Sequence, residues 1–160
     1  MSEQQPKPKA PVKSARRRAR EFVVQALYQW QMTQESVGSI ERFLRESNTA
    51  FVRADEELFR LVFFGAVKHI DTLTVAIAPY VDRPFAEISV VEKAILYAGA
   101  FEIIHMPQTP YPVIVNEAIE LAKTFGGTDG HKFVNGVLDK LAASARQEEI
   151  ESIKAKRQGA

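Results

Sequence analysis

The sequence predicts an all-α protein, a compact bundle of about six to seven helices in two subdomains. Apolar residues recur every three or four positions over most of the 160 residues, which is typical of amphipathic helices. No stretch of useful length alternates apolar and polar residues, so we do not expect strands. Proline and glycine lie where the helical periodicity is interrupted, and they separate the predicted elements.

The composition excludes several classes of protein. A hydrophobic content of 46% is ordinary for a packed globular chain. The absence of cysteine excludes a disulfide framework and a thiolate metal site. No apolar run reaches the roughly 18 residues of a membrane span, and the Pro- and Lys-rich start is not a secretory signal. We therefore expect a cytoplasmic protein without membrane association.

Charge is distributed unevenly along the chain, although the net charge is only +1. The first twenty residues hold seven Lys or Arg and one Glu, a net charge of +6, and the other 140 residues carry a net charge of −5. A basic end on an acidic body points to a localised anionic partner.

The N-terminal half is expected to contain a disordered arm and three helices. Three prolines alternating with lysines make residues 1–13 a disordered basic arm. Ser14 is placed to cap the first helix, and Gly38 marks a break after it. A long apolar stripe then predicts one continuous helix that Pro79 ends. The predicted N-terminal helices are residues 14–33, 39–47 and 55–79.

The C-terminal half is expected to contain three or four further helices, within residues 84–145. Ser89 and Glu92 have the spacing of a capping box at the start of the first. Pro107 ends that helix, and Gly126 follows the end of the next. Thr128 or Asp129 would cap the last one. The predicted helices are residues 89–106, 112–125 and 129–141, and residues 146–160 are expected to be a frayed, charged tail.

Four arginines in five residues stand at the predicted start of the first helix. A helix N-terminus carries partial positive charge, so each cation there is unfavourable by about 0.3–1 kcal/mol at low salt. A polyanion bound at this end would relieve that penalty, because phosphate is favoured both by helix N-termini and by Arg side chains. These residues therefore indicate a nucleic-acid-binding N-terminus. The alternative is a solvated basic arm.

Other residue patterns give no positive case for an enzyme. The three histidines have no second metal ligand at helical spacing, so neither a metal nor a cofactor is expected. The glycines of residues 126–130 lack the Lys-Ser/Thr pair of a phosphate loop. Glu117 and Glu120 beside Lys123 are most simply a solvated helix face.

Two features stay open when only their spacing is considered. Tyr28 lies beside the apolar stripe of the first helix, either in the core or as an aromatic on which an unpaired base could stack. Lys132 shares a face with Asn135, and Phe133 lies at the edge of the core. Gly136 in mid-helix costs about 1 kcal/mol relative to alanine, which a close helix crossing would explain.

Five motifs occur along the chain, at residues 15–21, 25–30, 91–94, 116–126 and 131–140. Together these motifs resemble the NusB family of bacterial transcription antitermination factors. The resemblance implies an all-helical fold in two subdomains and a non-enzymatic role. It also implies binding of single-stranded boxA RNA together with a small-subunit ribosomal protein, NusE, in a complex with other Nus factors and RNA polymerase that suppresses termination in ribosomal RNA operons.

The resemblance also assigns roles to particular residues. Glu92 would face the ribosomal protein, and a homodimer is possible. The RNA-binding residues that it implies are Arg16, Arg17, Arg18, Arg20, Tyr28, Asp129, Lys132 and Phe133.

Two competing hypotheses belong to other classes of protein. Domains similar to NusB occur fused to RNA cytosine methyltransferases, but this sequence has no Rossmann-type glycine motif. The second hypothesis is a plain helical protein-interaction module with a basic tail. It predicts that Arg17→Ala and Arg18→Ala leave RNA binding unchanged.

Overall fold

The computed structural model describes residues 13–127 and 129–159, and within them it is all-helical. Residues 1–12 of the expected arm, and Thr128 as a candidate cap, lie outside the described residues. Eight α-helices are present in the described part, one more than the upper end of the sequence-based range. They are α1 Ala15–Thr33, α2 Val37–Ser47, α3 Glu56–Lys68, α4 Ile70–Ile77, α5 Val90–His105, α6 Tyr111–Phe125, α7 Gly130–Ala145 and α8 Gln147–Gln158.

The helix starts mostly follow the capping residues that the sequence offers. The Ser14 hydroxyl accepts from the backbone N–H of Arg17 at 3.0 Å, and the Ser89 hydroxyl accepts from that of Glu92 at 3.1 Å. Asp129 occupies the N-cap position of α7, but its side chain makes no capping hydrogen bond. The two serine caps therefore form as expected, whereas Asp129 takes the position without the bond.

Helix α5 is the centre of the bundle. Every residue from Ala94 to Ile103 is buried, because α1, α3, α4, α6 and α7 all pack around this helix. A helix that is apolar on all sides belongs in the interior rather than on the surface. The buried side chains form one continuous cluster through both halves of the chain, and the division into two subdomains stays a prediction.

The long helix expected over residues 55–79 is broken. Helix α3 ends at Lys68 and α4 begins at Ile70, with an angle of 80° between the two segments. His69 occupies the break, and its ring stacks on His105 of α5 at 4.6 Å between centroids. The bend lets α4 follow the curve of the core around α5, which one straight helix could not do. No Pro or Gly lies at this position, so no local signal in the sequence indicates the break.

Two further expectations are corrected at the edges of helices. Gly38 lies inside the first turn of α2, and the break is formed by residues 34–36, with Ser36 as the cap. Gln34 ends α1 in the left-handed conformation, at φ 58°, and its N–H donates to the carbonyl of Trp30. The supposed frayed tail contains helix α8, which begins directly after the buried Arg146.

No single helix of the described residues is long and apolar enough to cross a bilayer; α3 and α4 satisfy the length and composition only when joined across their bend.

Glycines 99 and 136 have opposite environments within the same pair of helices. A Cβ at Gly99 would lie 2.7 Å from Cδ1 of Leu138, so this glycine permits α5 and α7 to approach closely. A Cβ at Gly136 would meet nothing within 4 Å. The close helix crossing that the sequence suggested at Gly136 is therefore absent. The lack of a side chain at Gly136 brings no packing benefit.

We expect Gly136→Ala to raise the free energy of unfolding by about 0.5–1 kcal/mol, because alanine reduces the entropy of the unfolded chain and favours the helix. Urea denaturation followed by circular dichroism measures it. Gly99→Ala is the matched control and should destabilise the protein through its clash with Leu138. An unchanged or lowered stability of Gly136→Ala would contradict this account.

Candidate nucleic-acid interface

The first turns of α1 carry the arginine cluster on a regular helix. The Ser14 cap holds the helix start just ahead of Arg16, so helix and arginines run together as the sequence indicated. The backbone N–H groups of Ala15 and Arg16 have no intrahelical acceptor at these positions, and none of the described residues accepts from them. This end of α1 therefore combines free N–H donors with cationic side chains.

The four arginines have different environments because successive helix positions point in different directions. Arg16 is the most open, with 73% of its side chain exposed and its Nε 4.0 Å from Oδ2 of Asp55. Arg18 is half-buried and forms no ion pair with any described residue. These two side chains are available to an external anion.

Arg17 is tied to helix α6 by a bidentate ion pair. Its Nε and Nη2 donate to the two carboxylate oxygens of Glu117 at 3.2 and 3.0 Å. The hydrogen bond to Glu117, and then the charge of that carboxylate, raise the pKa of the Arg17 guanidinium above its ordinary value. The sequence had assigned Glu117 to a solvated face; only its neighbours Glu120 and Lys123 form the expected exposed pair, at 3.6 Å.

Arg20 does not lie on the surface with the others, and this corrects its placement among RNA-contacting residues. It is 6% exposed and donates through Nε and Nη2 to both carboxylate oxygens of Glu102 in α5, at 3.1 and 2.9 Å. Burial acts to lower the pKa of the Arg20 guanidinium, but the bond to Glu102 and its charge outweigh it, so the pKa is raised. Arg20 is a structural cation, with Nε and Nη2 engaged by Glu102.

Tyr28 lies on the exposed side of α1, with 43% of its surface accessible. One face of the helix runs through Arg17, Glu21, Gln25, Tyr28 and Met32, at steps of four, four, three and four residues. The first three of these residues are half-buried and the last two are exposed. The sequence allowed the Tyr28 ring to lie either in the core or outside it. The ring lies outside the core, on the same face of α1 as Arg17.

The N-terminus of α7 presents the other residues that the sequence singled out. Asp129 and Lys132 are both strongly exposed and face each other at 3.8 Å. Phe133 is half-buried, and the guanidinium of Arg83 lies 4.4 Å above its ring centroid. Nothing in the spacing of Arg83 marked it as part of this cluster, because it comes from a loop that only the fold brings near.

Contacts between helices place Tyr28 and the start of α7 toward the same end of the bundle. The side chain of Gln31 in α1 donates to the carbonyl of Val90 at the start of α5. A Cβ at Gly130 would lie 3.3 Å from Oε1 of Glu92, in the first turn of α5. Arg17 and Gln31 are about 21 Å apart along the axis of α1, so the arginines lie toward the other end.

A second buried arginine was not predicted from the sequence. All five N–H donors of Arg146 are used: four reach carbonyl oxygens of Glu102, Ile103, Met106 and Thr109, and one reaches the carboxylate of Glu149. The partial negative charge at the C-terminus of α5 favours a cation at this position. Its position in a supposed charged tail concealed this role.

These features define an all-helical protein that presents cationic and aromatic side chains on the outer faces of its helices. Residues 17–143 match the sequence pattern of the NusB family, and the chain belongs to that family. Transcription antitermination is therefore its function, and the family is non-enzymatic.

Relatives agree with this assignment over nearly the whole chain. The transcription antitermination protein NusB of Chromobacterium violaceum is 52% identical over 147 residues, covering 91% of this chain and 98% of that protein. The protein of the same name from Ralstonia nicotianae is 51% identical, covering 90% and 92% of the two chains.

Solved structures share the fold. NusB of T. maritima superposes with a TM-score of 0.75 at 31% identity, covering 88% of this chain and 99% of that one. A structure of antitermination factors NusB and NusE in complex with dsRNA has a TM-score of 0.70 at 23% identity, covering 81% and 97%. This second likeness concerns the fold alone.

We expect Glu102→Gln to lower the free energy of unfolding by about 3–5 kcal/mol, because it leaves the buried charge of Arg20 without its partner. Urea denaturation measures the change. Glu120→Gln, in the exposed pair with Lys123, is the matched control and should change stability by less than about 1 kcal/mol. Equal, small effects of the two variants would show that the buried pair is not a structural requirement.

Proposed function

We propose that this chain acts in antitermination by binding single-stranded boxA RNA together with the small-subunit ribosomal protein NusE, and so suppresses termination in ribosomal RNA operons. The observation that carries the RNA-binding part is the exposed face of α1. Arg16, whose only ion pair with a described residue is the 4.0 Å contact with Asp55, and Arg18, which has none, lie at one end of it beside backbone N–H groups that no described residue accepts from. An exposed aromatic ring lies farther along it. RNA-binding surfaces for single strands combine these same elements.

Electrostatics favour RNA at the arginine end. The partial positive charge of the helix start, the exposed Arg16 and the half-buried Arg18 act in the same direction on a phosphate. Arg17 contributes a held, oriented cation, because its pair with Glu117 leaves 42% of its side chain exposed. Affinity should come largely from these phosphate contacts and should therefore fall with salt.

The start of α7 would continue the same surface. Lys132 offers a cation, Asp129 offers an acceptor for base N–H groups, and the Phe133 ring is already covered by Arg83 on one side. Because α1 joins α5 through Gln31 and α5 meets α7 at Glu92, an RNA strand that follows α1 from its arginines approaches this cluster. Arg20 is not expected to contact RNA directly, because its side chain is buried and paired with Glu102.

The partner surface is proposed beside the RNA. Ribosomal proteins are usually basic, and residues 21–160 carry a net charge of −5, which suits electrostatic complementarity. Glu92 lies next to Gly130, so a protein seated there would also border Asp129 and the RNA. Contacts with other Nus factors and RNA polymerase, a possible homodimer and a cytoplasmic location belong to the same proposal.

We expect Arg16→Gln and Arg18→Gln each to weaken binding of a short boxA-like RNA and to reduce its salt dependence. The slope of log K against log salt should become shallower by about 0.7 for each phosphate that the variant no longer neutralises. Fluorescence anisotropy at several salt concentrations measures both quantities.

Lys154→Gln on α8 is the matched control, because it removes one exposed positive charge far along the chain from α1. A scrambled RNA should bind more weakly than the boxA-like strand. If the arginine variants bind as the wild type does, the helix end is not the RNA site and the protein-interaction alternative is favoured.

We expect NusE to raise the affinity for boxA RNA, and RNA to raise the affinity for NusE by the same factor, because coupling between two sites is reciprocal. Glu92→Lys should weaken the binding of NusE, whereas Glu151→Lys on α8 should not. Titrations of each ligand in the presence and absence of the other measure the factor. A factor of one in both directions would contradict adjoining sites.

A further inference from the structure

A pocket of about 500 Å³ lies between α2 and the C-terminal half of α1. Its apolar lining includes the rings of Tyr28 and Phe43 and the thioether side chain of Met32. The amide side chains of Gln25 and Gln29 border it. The pocket therefore has aromatic and apolar walls and a polar border.

The apolar side chains of this pocket are unusually exposed for their types. Phe43 is 53% exposed, and the other nine of the ten phenylalanines are buried or half-buried. Met32 is 60% exposed, whereas Met106 is buried. Tyr28 is the most exposed tyrosine of the four. These clustered apolar side chains do not contribute the stabilisation that burial in the core would give. Such an exposed apolar patch indicates an interaction site.

The two rings are also unengaged by other aromatics. Neither Tyr28 nor Phe43 forms an aromatic contact with another ring of the described residues, whereas Phe22, Phe51 and Phe59 pack against one another in the core. Both side chains are partly exposed, so each ring offers aromatic surface to a flat ligand.

The glutamines of α1 divide into two groups. The Nε2 atom of Gln31 donates to the carbonyls of Leu27 and Val90, and that of Gln34, which caps the helix, donates to the carbonyl of Trp30. The side-chain amides of Gln25 and Gln29 form no hydrogen bond with any described residue. The two amides that border the pocket keep their donors and acceptors for an external partner.

From these contacts we infer that the pocket between α1 and α2 binds one unstacked nucleobase of a single-stranded RNA, held between Tyr28 and Phe43 and hydrogen-bonded by Gln25 or Gln29. This inference rests on the proposed RNA-binding function and extends its surface onto α2. A planar base with polar edges fits aromatic walls and a border of amides.

Continuity along α1 favours RNA over a protein side chain as the occupant. The face that begins at Arg17 first passes Glu21, whose side chain is 17% exposed and whose carboxylate is neutralised by Lys13 at 2.9 Å. It then passes Gln25 and Tyr28 and ends in the pocket at Met32. A strand whose phosphates contact the arginine end therefore reaches the pocket without leaving this face. The exposed Arg42, next to Phe43 in α2, forms no ion pair with a described residue and offers a cation for the phosphate beside the bound base.

The test uses the full-length protein and boxA-like RNA in which 2-aminopurine replaces each base in turn. Stacking quenches the fluorescence of 2-aminopurine. Binding of the wild-type protein should therefore quench the fluorescence at one RNA position, and binding of Phe43→Ala should leave the fluorescence at that position unquenched. We expect Phe43→Ala to weaken RNA binding by about fivefold or more, and Phe43→Leu by a similar factor, because both remove the ring. Phe43→Tyr should bind as the wild type does, since it keeps a ring face.

Val75→Ala on α4 is the matched control, because it trims a side chain that is 72% exposed elsewhere on the surface. The inference is overturned if Phe43→Leu keeps wild-type RNA affinity, or if Phe43→Ala weakens only the binding of NusE, which would make the occupant a protein. If Arg16→Gln and Arg18→Gln weaken RNA binding but Phe43→Ala does not, the pocket fails while the proposed function stands. If the wild type binds no RNA, both fail.

Discussion

The buried ion pair between Arg20 and Glu102 is the constraint on which the arrangement of helices depends. Both carboxylate oxygens and two guanidinium nitrogens are matched, within a site from which water is nearly excluded. A buried charge without its partner is strongly unfavourable. The ion pair therefore fixes the position of α1 along its own axis, and its rotation about that axis, relative to α5. With that rotation set, Arg17, Gln25 and Tyr28 face outward.

Helix α5 receives a second cation at its end. Arg146 binds the last carbonyls of the helix, while the side chain of Glu102 binds Arg20. Glu102 thus joins two arginines, one through its side chain and one through its backbone. Helices α1, α5 and the junction of α7 with α8 meet at this residue. The bundle thereby gains a polar centre, and the buried side-chain donors and acceptors of the described residues are all satisfied.

The proposed interface depends on this order in the interior. A rigid α1 presents cations at its start and an aromatic pocket near its end, so the spacing between phosphate and base contacts is set before RNA binds. Preorganised side chains lose less entropy on binding. The ion pair of Arg17 with Glu117 and the ring of Phe133 under Arg83 hold further groups of the same surface in place.

The fold class, most helix positions, the Ser14 and Ser89 caps and the arginine cluster could be predicted from the sequence, because they follow from periodicity and local hydrogen bonding. Packing between helices was needed to show which arginine is buried, where α3 breaks from α4, that α8 is a helix, and that Met32 and Phe43 form a pocket with Tyr28. Each of these depends on which side chains meet across helices. Arg16 and Arg20 look alike in the sequence, and they differ because Glu102, 82 residues away from Arg20, meets only one of them.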